Sequence, residues 1–167
     1  MNDNQRTKAV GLIVFGLTVV VFAILYPFGE TETMRLPDTI TGHPLRIEAY
    51  GLDAVENITQ LHGKDFALTD GAVGVYGQTG EATLWVSVSA SKADAAELVI
   101  DMRDKIFEGN SPFEAVGEES MGGRMVYELV GFGQAHFYFQ SGGQVIWVAV
   151  EQIVADKVLA ELLVFYP

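Results

Sequence analysis

The chain reads as an α+β protein: a single amino-terminal transmembrane helix, then a compact domain with a mainly antiparallel sheet of about six to seven strands and three helices. Three observations point there. An uncharged run extends from Ala9 to Gly29. Beyond it, stretches with apolar residues every three to four positions are interspersed with stretches that alternate apolar and polar. From Pro112 onward, Gly122-Gly123, Gly131 with Gly133, and Gly142-Gly143 fall at regular intervals, the punctuation of an antiparallel meander.

The run AVGLIVFGLTVVVFAILYPFG, coiled at about 1.5 Å per residue, is long enough to cross a hydrocarbon core of roughly 30 Å. A helix satisfies its own backbone hydrogen bonds in lipid, so β-branched Val and Ile are tolerated there. Arg6 and Lys8 precede the run and Arg35 alone follows closely, which puts the amino terminus in the cytoplasm and the rest outside. The expected organisation is therefore a cytoplasmic segment 1–8, a span 9–29, a tether 30–44 and an extracytoplasmic domain 45–167. A signal sequence cut after Ala23 is the competing reading, although apolar residues continue past that point. Gly11 and Gly16 are five apart, so the four-residue spacing of a small-residue dimer motif is missing.

The tether, ETETMRLPDTITGHP, is polar with two prolines. LRIEAY then alternates as a strand. Leu52, Val55, Ile58 and Leu61 recur at steps of three, as in a short amphipathic helix stopped by Gly63. AVGVYG and ATLWVSVS form two strands around Gly80. Ser91 with Asp94 resembles a capping arrangement for the longest soluble helix, about residues 92 to 108, whose apolar face is Ala95, Leu98, Val99, Met102 and Ile106. FEAVGEES, RMVYELV, AHFYFQ and QVIWVAVE are the meander strands, and residues near 153 to 164 close the domain as a helix. QVIWVAVE is apolar on both faces, so it belongs in the middle of the sheet with a layer above and below it, either helices on each face or a helix layer and a ligand cavity. The two halves, each a helix with strands, hint at a repeat that does not align residue by residue.

Composition excludes several functions. There is no cysteine, hence no disulfide, thiol chemistry, cysteine-held metal or lipoprotein anchor. The formal charge is −12, and Arg6 and Lys8 lie before the run, so the outer domain is acidic and repels nucleic acid. No cofactor motif is present. Glu118 stands where a nucleophile elbow around Ser120 needs glycine, and Gly131-Phe132-Gly133 lacks the remainder of a phosphate loop.

Two groups of residues remain as candidate sites. In AHFYFQ, His136, Tyr138 and Gln140 share one strand face and could line a ligand pocket. On the long helix, Asp94, Glu97, Asp101, Asp104 and Glu108 advance by three, four, three and four, forming one acidic stripe that could dock a basic partner or remain solvated. His62 and His136, with nearby carboxylates, could in principle serve a metal-dependent hydrolase or metal-binding protein, although no zincin spacing supports it. Tyr50, Tyr76, Trp85, Tyr127, Tyr138 and Trp147 fall on strands, as core or as an aromatic platform. The leading expectation is a non-enzymatic, single-pass module, held in the bilayer through residues 9–29, that binds a small ligand or a membrane-protein partner. A structural spacer is the blandest alternative.

Overall fold

The computed structural model describes residues 34–62, 67–109 and 111–167, with the side chains of residues 60–62 outside the description. The apolar run expected to span a bilayer lies outside the described residues, among which no helix is long and apolar enough to cross a membrane. Met34–Pro167 forms one compact unit.

The elements follow the order β1 (Thr39–Ile40), β2 (His43–Tyr50), α1 (Leu52–His62), β3 (Leu68–Tyr76), β4 (Ala82–Ser89), α2 (Lys92–Phe107), β5 (Glu114–Met121), β6 (Arg124–Gly131), β7 (Gln134–Ser141), β8 (Gln144–Val150) and α3 (Ala155–Phe165). All eight strands join one sheet in the order β1-β2-β3-β4-β8-β7-β6-β5. Every pairing is antiparallel. The α+β class and the three helices match the sequence reading, and β8 lies between β4 and β7, as its two apolar faces require.

Among the described residues the strand count is eight rather than six or seven. The additional strand is β1, inside the segment expected to be a tether: Thr39 and Ile40 pair with Pro44 and His43. Leu36 and Ile40 are buried in the core, and the Tyr166 hydroxyl donates to the Arg35 carbonyl at 2.8 Å. Two apolar side chains in a polar stretch have no visible period, yet burying each is worth about 1.5–3 kcal/mol. That is sufficient to dock the segment onto the sheet.

Alternation along the strands sorts side chains into two layers. On one face Leu84, Val86, Phe137, Phe139, Ile146 and Val148 pack beneath α3, which contributes Val158, Leu159 and Leu162. On the other, α2 places Ala95, Val99, Met102 and Ile106 on Tyr127, Leu129, Tyr138 and Val145. The α2 start is capped as its sequence suggests: the Asp94 amide donates to Ser91 Oγ at 3.1 Å, and that hydroxyl donates to Asp94 Oδ2 at 2.7 Å.

On α1 the inward residues are Ala54 and Ile58, whereas Leu52 is 84% exposed. Steps of three fall behind a helix that turns about 100° per residue, so Leu52 rotates off the face that Ile58 occupies. The helix sits close over β3, where a Cβ on Gly71 would come within 3.2 Å of Ile58 Cδ1.

Candidate functional site

α1 rests on β3 and α2 packs its apolar face on Tyr127, Leu129, Tyr138 and Val145, so the two helices flank a strip of sheet that carries Trp85 and Trp147. Over that strip lies a cavity of about 700 Å³. Its floor is the antiparallel register itself: Trp85 on β4 is directly opposite Trp147 on β8. Trp147 in turn opposes Tyr138, and Tyr138 opposes Tyr127. The rings stack, Trp147 on Tyr138 at 5.2 Å and 12°, Tyr138 on Tyr127 at 4.7 Å and 10°. Four of the six strand tyrosines and tryptophans thus form one row. Tyr76 belongs to the opposite core, and Tyr50 is exposed at the end of β2.

His136 sits beside this row, 4% exposed. Trp147 Nε1 donates to its Nδ1 at 3.1 Å, which makes Nδ1 the acceptor and leaves the proton on Nε2, 3.1 Å from the Gly131 carbonyl it donates to. Both ring nitrogens are therefore engaged by the protein. Burial lowers the pKa of the imidazole, outweighing the opposite pull of the Gly131 carbonyl, and the indole N–H aimed at Nδ1 suits the neutral ring. A protonated ring would set a second N–H against that of Trp147.

Phe113 closes the upper end, with its ring 4.8 Å from that of His136, 5.1 Å from Trp147 and 5.6 Å from Phe132. It approaches the chain so closely that a Cβ on Gly131 would collide with Phe113 Cδ1. Any side chain there would have to displace the Phe113 ring. The indole nitrogen of Trp85 and the hydroxyl of Tyr138 are buried and have no hydrogen-bond partner among the described residues.

The face expected to line a pocket divides three ways. His136 lines the cavity. Tyr138 is fully buried under α2. Gln140 donates to the carbonyls of Lys92 and Gly142, both at 2.8 Å, tying the start of α2 to the β7–β8 turn. The acidic stripe is exposed throughout. Asp101, Asp104 and Glu108 reach the rim of the cavity together with Lys105, and Asp104 pairs with Arg103 at 2.7 Å, while Asp94 serves the helix cap. The His62 side chain lies outside the described residues, among which no group of three potential metal ligands gathers.

Phe113 and Phe132 are the site residues that sequence reasoning missed. Both lie in connections, where an aromatic carries no periodic signal. A usable clue existed at Phe132, because a bulky residue is out of place in a two-residue hairpin turn.

No protein-family model matches the chain, and no curated protein or solved structure shows significant similarity to it.

The neutral state of His136 has a measurable consequence. A histidine whose pKa is lower in the folded protein binds protons preferentially when unfolded, so its stabilising contribution is complete above about pH 6.5 and is lost as pH falls toward the lower, folded value. Urea midpoints taken between about pH 7.5 and 5.5 are expected to decline. His136→Gln, which keeps a donor and an acceptor but does not titrate, should flatten that slope. An unchanged slope would remove His136 as its source.

Proposed function

We propose that this chain is a non-enzymatic, membrane-anchored module whose extracytoplasmic domain binds an apolar small molecule in the cavity between α1 and α2. The observation that carries the reading is the cavity itself: about 700 Å³ over a Trp85–Trp147 floor, within the roughly 300–1,000 Å³ range of small-molecule sites. A spacer has no use for such a space. Leaving two tryptophans beneath a void forgoes packing that a merely structural core would recover.

The anchor is the run Ala9–Gly29, and the preceding Arg6 and Lys8 support an outward-facing domain. At the rim, Asp101, Asp104 and Glu108 outnumber Lys105, so an anionic amphiphile is disfavoured, while the Trp85–Trp147 floor carries no charged side chain and suits an uncharged ligand body. The same surplus suits the exposed stripe to a basic surface on a neighbouring membrane protein. A metal centre built on His62 and His136 draws no support from His136, which would have to surrender a hydrogen bond to Trp147 or Gly131 to become a ligand.

The test uses the full chain held in an amphipathic polymer and titrated with the neutral fluorophore N-phenyl-1-naphthylamine. Saturable one-to-one binding above that of polymer alone is expected, with emission from Trp85 and Trp147, the chain's two tryptophans, quenched by transfer to the probe. No saturable binding, with a thermal midpoint unmoved across a library of apolar compounds, would falsify the proposal.

A further inference from the structure

The meander contains three two-residue hairpin turns, at Gly122-Gly123, Phe132-Gly133 and Gly142-Gly143, each closed by a paired residue on either side. Their first positions all have positive φ, +59° at Gly122, +53° at Phe132 and +57° at Gly142, and in the Gly122-Gly123 and Phe132-Gly133 turns the second position is positive as well, at +81° and +78°, so those two share one turn type. Glycine adopts that conformation freely, and asparagine adopts it at little cost. A bulky aromatic is strained there. Glycine therefore fills the first position of two of the three turns, including the one of matching type at Gly122, and phenylalanine that of the third.

The third turn is the one at the cavity. Phe132 is 78% exposed, yet it lines the mouth and meets Phe113 edge-on, 5.6 Å between centroids at 82°. The other described non-glycine residue with positive φ, Thr41, has a structural purpose, since its amide donates to Glu161 Oε2 on α3 at 2.6 Å. Phe132 buries little and anchors no helix, so packing does not account for the strain. From mouth to floor the rings continue without a break: Phe132 on Phe113, Phe113 on His136 and Trp147.

We infer that Phe132 is a ligand-contacting, specificity-determining residue at the cavity mouth, and that the ligand class it selects is a neutral apolar molecule bearing a ring system. The inference rests on the binding reading above and deepens it. A ring entering past Phe132 and Phe113 toward Trp147 gains edge-to-face and offset-stacked contacts beyond its buried area, whereas a straight alkyl chain gains burial alone.

The test compares the wild-type chain with Phe132→Asn and Phe132→Leu, all in the same polymer, using N-phenyl-1-naphthylamine as the ring probe and 1-decanol as the competing chain. Asparagine relieves the turn, so its thermal midpoint is expected to rise by roughly 2–5 °C, while affinity for the ring probe falls by about three- to tenfold. Leucine keeps the apolar bulk and the strain: ring affinity drops, decanol affinity holds. Either of two results would overturn the inference with the binding reading intact. One is a Phe132→Asn variant that binds the probe like wild type or melts at a lower temperature. The other is decanol competing as tightly as a ring compound of equal size. Failure of wild type to bind the probe at all would sink both readings together.

Discussion

Truncating Tyr138 to alanine is expected to destabilise the domain by about 3–5 kcal/mol, the range for deleting a large buried aromatic. The side chain is fully buried, stacked between Tyr127 and Trp147 and covered by the apolar face of α2. Its removal opens a void in the layer that holds that helix. The phenylalanine variant gives the opposite contrast. Burial raises the phenol's pKa well above its ordinary range, so the hydroxyl keeps its proton and remains a donor without an acceptor among the described residues. Tyr138→Phe should therefore be neutral or stabilising by up to about 1 kcal/mol, because it removes a desolvated polar group and keeps the ring. Chemical denaturation of both variants decides the point. A loss of about 2 kcal/mol in the phenylalanine variant would instead show that the oxygen has a hydrogen bond to lose.

The second large effect is at Trp147, where stability and binding change together. Trp147→Ala is expected to cost on the order of 3 kcal/mol, the lower end for a large aromatic because the ring is only partly buried. It also removes half of the cavity floor and leaves His136 Nδ1 without the indole N–H that it accepts. Saturable uptake of N-phenyl-1-naphthylamine should be lost. Trp147→Phe separates the two roles: a ring remains against Tyr138, but a buried acceptor on His136 is left unmade, costing about 1–3 kcal/mol, and the probe still binds. If the alanine variant binds as tightly as wild type, the ligand does not lie on this floor.

Secondary structure was legible wherever its cause was local. Alternation places ATLWVSVS on β4 without error, and the periodicity of Ala95, Val99, Met102 and Ile106 identifies the buried face of α2. Ser91 marks its start. The glycine pairs set the hairpins because a two-residue turn constrains only its own backbone. Where cause was not local, the reading failed. Leu36 and Ile40 sit in a polar, proline-containing stretch, and only the sheet they dock on shows that they are core. On α1, too few turns are present for steps of three to reveal which residues face inward.

The candidate site was legible only in pieces. His136, Tyr138 and Gln140 do share a strand face, but a face is not an environment: one lines a cavity, one supports a helix and one ties down a turn. Trp85 and Trp147 meet because β4 pairs with β8, a contact between segments far apart in the chain. No short-range pattern encodes that pairing.

By itself, then, the sequence determined the α+β class, the single apolar run, the acidic balance and the absence of thiol chemistry, since these follow from composition and from interactions a few residues apart. Tertiary structure alone decided that α1 and α2 settle on opposite halves of the sheet, that four aromatic rings fall into one row, and that a strained Phe132 stands where sister turns have glycine beside a cavity. Strand register and helix seating depend on the balance of packing over the whole sheet, so the space they leave open is a property of the assembled layers and of no segment within them.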